Sequence, residues 1–239
     1  MSLASSSIGQ RRRRLAISQS NFIPWRGYFD LIASVDEFIF YDDVQYTKGD
    51  WRNRNKIKTP QGTRWLTIPV GADLRRRICD VSISDPQCGS KHWTVLTANY
   101  ARAEWFEEMA AWLRPFFVEP WTSLSALNRR LTAAVCMFLG IDTKLSMSAD
   151  YRAQGDRTGR LVALCEEAGA STYVSGPSAA AYLDVEAFRR RDVEVVWMDY
   201  DGYPDHPQLW GPFDPRVSIL DLLFNCGPNS RRFMKLGLS

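Results

Sequence analysis

In this chain of 239 residues, the side chains best suited to small-molecule chemistry fall into short polar groups. They are Gln19-Ser20-Asn21, Asp42-Asp43, Ser148-Ala149-Asp150, Ser175-Gly176-Pro177 and Asp199-Tyr200. Each follows a stretch that reads as a strand. In a parallel sheet the strand carboxyl ends share one edge, so such groups converge on a common rim. Amides, hydroxyls and carboxylates at one rim can orient an acceptor and move its protons. Gln19, Asn21 and Asp43 are the candidates for that work. Taken singly, each group also reads as ordinary loop polars and helix caps.

Two further entries suit an anion. Pro177 reads as the first residue of a helix, with Ser175 and Gly176 at its cap, so unpaired N–H groups would face the rim. Gly155-Asp156-Arg157-Thr158 repeats the pattern, with Thr158 as cap; Arg157 and Arg160 either clamp an anion there or are simply solvated. Asp42-Asp43 would make a weak metal pair, because neighbours on a strand point to opposite faces. The basic segment Arg52-Asn53-Arg54-Asn55-Lys56-Ile57-Lys58, led by Trp51, suits phosphate or a nucleic-acid backbone. It equally suits a solvated strand beside a site.

Covalent and metal chemistry find little support. Of the two histidines, His92 opens a helix and is the better catalytic candidate, with a half-buried structural role as its alternative. The five cysteines are scattered without metal spacing, which fits a reducing cytosol. Cys226 follows a helix and has no base partner in sequence. A net charge of +3 does not by itself call for nucleic acid, and no apolar run reaches the about 20 residues of a membrane span. The chain reads as soluble and cytoplasmic.

The elements that must hold these groups follow from periodicity. Strands are expected at 15–18, 36–41, 143–147, 171–174 and 193–198. A first helix is expected at 25–34, and further helices at 123–139, 158–168, 179–190 and 217–224. Residues 55–58 and 64–70 form a hairpin around Thr59-Pro60-Gln61-Gly62, with a short strand at 81–83 beyond a loop at 73–80. Residues 92–117 read as one long helix that Pro115 stops. The fold class is therefore α/β, with a central, mostly parallel sheet flanked by helices (a Rossmann-like three-layer arrangement). It carries a β-hairpin and a helical insertion at about 90–140, all in one domain from residue 15. Residues 1–14 are a disordered or non-native lead.

Several long motifs, in order, make the chain resemble the WbqC-like protein family. They are Gln19-Ser20-Asn21-Phe22-Ile23-Pro24-Trp25, Gly27-Tyr28-Phe29-Asp30 and Tyr41-Asp42-Asp43-Val44-Gln45. Trp51-Arg52-Asn53-Arg54-Asn55, Trp65-Leu66-Thr67-Ile68-Pro69-Val70, Lys91-His92, Tyr173-Val174-Ser175-Gly176-Pro177 and residues 218–228 continue it. The resemblance implies a place in O-antigen, capsule or other biosynthetic clusters, and attachment of acyl or aminoacyl groups to amino sugars or related amines. Many relatives carry His where this chain has Ser18. Strand, polar turn, then Pro24-Trp25-Arg26-Gly27-Tyr28 also resembles a degenerate HxGH signature of nucleotidylyltransferases and pantothenate synthetase. Trp25 and Tyr28 occupy its histidine positions and cannot carry positive charge.

The expected activity is a transferase or ligase that forms an amide or ester on an amino sugar or related metabolite. Its rival is a non-catalytic module that recognises a carrier, an aminoacyl-RNA or a glycosyl intermediate. Trp25, Tyr28, Asp42, Gln45, the segment Arg52 to Lys56, and Ser175 to Pro177 would bind substrate. No metal is expected, and ATP or an activated acyl donor would supply the driving force. The partner is a small molecule or nucleotide-sugar, with aminoacyl-RNA as the less favoured choice. Alanine at Asn21 or at Asp43 is expected to abolish turnover.

Overall fold

The computed structural model describes residues 12–73 and 75–237. Most of the expected lead, residues 1–11, lies outside the described residues. Five strands form one sheet: β1 (Arg14–Ser18), β2 (Glu37–Phe40), β5 (Lys144–Met147), β6 (Thr172–Ser175) and β7 (Glu194–Trp197). Their order is β5-β2-β1-β6-β7 and every pairing is parallel. The chain builds outward from β1 through β2 to β5, then returns to the other side of β1. The direction of winding therefore reverses between β1 and β6, where open α/β proteins place ligands.

Parallel strands buried on both faces alternate their side chains between two cores. Ala16, Phe38, Phe40 and Val174 enter the larger core. Leu15, Ile17, Ile39 and Tyr173 enter the smaller one. The larger core holds α1 (Arg26–Ala33), the insertion helices α2 (Cys88–Tyr100), α3 (Phe106–Val118) and α4 (Leu124–Phe138), and α7 (Ile219–Cys226). The smaller core packs α5 (Arg157–Glu167) and α6 (Val185–Arg189). The antiparallel hairpin β3 (Arg54–Thr59) and β4 (Gly62–Thr67) turns through Pro60-Gln61 and buries Ile57 and Leu66 in the larger core. This is a three-layer α/β fold.

Local structure departs from expectation in several places, each with a physical cause. Residues 92–117 are two helices rather than one, separated around Ala103, whose buried methyl and the Trp105 N–H to Phe224 O bond turn the chain. Pro115 does not stop α3 but sits in its last turn, where the helix forgoes one N–H to C=O bond and runs on only to Val118. The stretch 179–190 splits into a five-residue 3-10 turn (Pro177–Ala181) and α6, which has its own cap in Asp184. A 3-10 turn that short lacks the aligned dipoles of an α-helix. The anion site expected from that helix start thus loses its basis. Residues 81–83 contribute only a single bridge, Ser82 to Ser123. Asp156, not Thr158, caps α5 through the Gly159 N–H at 2.7 Å. No helix among the described residues is long and apolar enough to cross a membrane.

Candidate functional site

After β1 the chain makes a strained turn into α1. Ile23 has φ of +40°, uncommon for a β-branched residue and a cost of about 1–3 kcal/mol. Asn55 holds that turn, its Nδ2 donating to Ile23 O at 2.8 Å and Phe22 O at 3.2 Å. Ile219 N–H donates to Pro24 O at 2.9 Å from the start of α7. The strain therefore serves to present Pro24 and Trp25 outward. Trp25 lies across Gly27, where a Cβ would come within 2.4 Å of the ring.

Beside this turn opens a cavity of about 690 Å³. Asn21, Pro24, Trp25 and Arg26 form one wall, and Trp51, Asn55 and Lys56 a second. Residues from Tyr200 to Asp205, with Phe213, Pro215, Arg216 and Val217, close the third. Trp25 meets Tyr200 and Tyr203 edge-on, at ring separations of 5.1 and 5.9 Å. Burial pushes the Tyr200 hydroxyl up to about 12, and burial beside Asp30 pushes Tyr203 up further. Both rings are thus neutral walls. Tyr203 is fixed by its O–H bond to Asp30 at 2.5 Å.

The polar groups on these walls, and Gln19 and Arg52 behind them, have distinct roles. Arg52 donates to Asn21 Oδ1, and at 3.1 Å to Gln19 Oε1, which orients both amides. Asn21 Nδ2 has no protein acceptor among the described residues, so it can donate to a ligand. Arg26 is buried and donates to Pro204 O at 2.8 Å and Phe233 O at 2.9 Å. Desolvation lowers its pKa, against the pull of Tyr203 and Asp30. Asp201 and Asp205 are exposed on the cavity wall without an ion-pair partner among the described residues. Lys56 Nζ likewise meets no carboxylate, and lies 5.1 Å from the Trp65 ring.

The other candidates sit elsewhere. Asp42 is buried, accepting from Ser20 N–H at 2.8 Å and from the Ser125 hydroxyl. It locks the β1 turn to α4 and does not line the cavity. Asp43 points to the opposite face, accepting from Ser148 Oγ at 2.6 Å and from Arg160. Arg160, stacked at 5.1 Å on Tyr41, is therefore not free to clamp an anion, while Arg157 lies 5.8 Å from the Tyr182 ring. Tyr28 is buried against Phe38, its O–H donating to Gln19 O at 2.9 Å. Asn53 pairs with Ile68 O at 2.8 Å, and Gln45 bridges to Arg77. Ser175 to Pro177 do not line the cavity, although Gly176 backs onto Tyr200. Cys226 is buried, and burial pushes its thiol up to about 12, which disfavours the thiolate that a nucleophile needs.

His92 lies on α2, its ring 6.0 Å from Phe22 and outside the cavity. Desolvation lowers its pKa from 6.5. A histidine more acidic folded than unfolded contributes stability that is full above pH 6.5 and lost as the pH falls toward the folded value. Thermal melts from pH 7.5 to 5 should therefore show a falling midpoint, with a shallower fall in His92→Gln. Identical slopes in the two proteins would remove His92 from that account.

Sequence reasoning missed most of the third wall. Residues 199–217 hold no helix or strand, so no periodicity announces them. Their anchor is a buried cluster around Asp221, which is fully buried on α7. Tyr100 O–H donates to it at 2.7 Å, Gln208 Nε2 at 2.9 Å, and His206 Nε2 lies at 2.8 Å. An aspartate amid eight buried positions of an apolar helix was the one available signal.

A doubly wound α/β protein with an aromatic-walled cavity beside the switch point of its sheet is the class that fold and site define. Residues 19–233 match the WbqC-like protein family, and the chain belongs to it. It is 52% identical over 226 residues to the uncharacterized protein Rv1507c of Mycobacterium tuberculosis, covering 93% of this chain and 98% of that one. No solved structure matches it.

Proposed function

We propose that this protein is a biosynthetic transferase or ligase that joins an acyl or aminoacyl group, as an amide or ester, to an amino sugar or related small metabolite. The observation that carries the reading is one cavity of about 690 Å³ combining ring walls with unpaired polar groups. That volume lies in the range of metabolite sites. Trp25, Tyr200 and Tyr203 offer faces and edges to a sugar ring. Asn21 Nδ2 would fix a hydroxyl or carbonyl, and Asp201 or Asp205 would hold the acceptor amine and take its proton as the new bond forms. Orientation of acceptor against an activated donor can supply several kcal/mol, about 7–11 in favourable cases, without a covalent intermediate.

A binding-only module is the second reading, favoured by one feature. No histidine, cysteine or serine lines the cavity among the described residues. The two readings part on consumption of donor. Mass spectrometry of a strain lacking the gene should show the free amine accumulating and its acylated form absent, restored by the wild-type gene. An unchanged metabolite profile would overturn the transferase reading.

A further inference from the structure

Trp51 and Trp65 stay open to solvent, at 45% and 39% exposed, although large aromatic side chains bury most of their surface in a folded chain. Their ring centroids are 5.4 Å apart and tilted by 39°. The Arg54 guanidinium stands 4.2 Å from the centre of the Trp65 ring, with Lys56 Nζ at 5.1 Å. Neither cation has a carboxylate within ion-pair distance among the described residues. The mounting is rigid. Trp65 pairs with Lys56 across the hairpin, and Trp51 O accepts from Phe22 N–H at 3.0 Å, which ties it to the β1 turn. Trp51 and Lys56 also line the cavity, so rings, cations and cavity form one continuous surface.

We propose that Trp51, Trp65, Arg54 and Lys56 form a subsite for a nucleoside diphosphate group at the mouth of the cavity. A base stacks on an open indole, and its phosphates meet Lys56 and Arg54, which lack carboxylate partners. The group beyond the second phosphate then enters the cavity; that last step rests on the function proposed above, while the subsite itself does not. A cross-strand cluster made only to cover a ring would leave it less open than 39% under two cations. A long phosphate backbone fits poorly, because Asp50, Asp201 and Asp205 border the same surface.

Isothermal titration calorimetry of the full chain with UDP, ADP, uridine and a single-stranded RNA octamer tests the subsite. UDP and ADP should bind, and uridine should bind more weakly for want of phosphate. Trp65→Ala should weaken UDP about tenfold, and Lys56→Ala should weaken UDP while leaving uridine unchanged. Trp51→Ala serves as a second variant if Trp65→Ala loses its cooperative melt. No binding of either diphosphate at millimolar concentration, binding of the octamer alone, or wild-type UDP affinity in both tryptophan variants would each overturn the proposal. Failure here leaves the metabolite phenotype of the deletion strain intact, whereas failure of the transferase reading leaves UDP binding intact, so the two are separable.

Discussion

Asp221→Ala should lower the free energy of unfolding by about 3–5 kcal/mol, the usual cost of removing one member of a buried polar cluster and stranding its partners. In a domain of this size that is a fall in melting temperature of roughly 10 °C. The reason lies in what the carboxylate satisfies. Tyr100, His206 and Gln208 all converge on it, and the buried Tyr100 and His206 have no water to turn to in its place. The cluster spreads further, since Tyr100 Oη accepts from Lys58 N–H at 2.8 Å and Lys58 Nζ donates to Gln208 Oε1 at 2.7 Å. It thereby ties the irregular cavity wall to α2, α7 and the hairpin. Tyr100→Phe, which deletes one hydroxyl and keeps the ring against Phe224, should cost less. A melting temperature for Asp221→Ala within a degree or two of wild type would show that the wall is held by its apolar contacts instead.

The second large effect concerns turnover. Asn21→Ala should reduce it by at least about a hundredfold, the scale of loss when a ligand is held without its fixed donor. Asp43→Ala should leave turnover near the wild-type level and instead destabilise the contact between β2 and α5. The two residues look alike in sequence, polar positions just after strands. They separate because Asn21 lines the cavity and is held there by Arg52, whereas Asp43 lies outside it. Asp42 turns toward Ser20 and Ser125, and Asp43 toward Arg160 and Ser148. Rates for both variants with the accumulated amine as acceptor check this. Loss of turnover in Asp43→Ala with full turnover in Asn21→Ala would move the chemistry to the other end of the rim.

Much of the sheet was legible because its strands are short apolar runs bounded by Gly, Asp and Ser, and the expected strand positions agree with β1, β2, β5, β6 and β7 to within a residue or two. Helix continuity was less legible. Nothing local in residues 92–117 marks the break near Ala103, which tertiary contact with Phe224 imposes. Pro177 at a helix start was a sound local rule that the chain used for a 3-10 turn. In the site, the turn from Gln19 to Trp25 and the segment Arg52 to Lys56 lie together as their polar character suggests. Beyond Tyr200 the wall as far as Val217 was invisible, because an irregular segment carries its information in distant partners such as Asp30, Arg26 and Asp221.

On the proposed function, the cavity beside the β1 turn holds the metabolite on which the protein acts. A crystal structure of the protein with the amine that accumulates in the deletion strain tests it most directly. The ligand ring should lie between Trp25 and Tyr203, with an oxygen in hydrogen-bond reach of Asn21 Nδ2 and the amine toward Asp201 or Asp205. Ligand bound beside Asp43 and Arg160, with the cavity filled only by water, would contradict it.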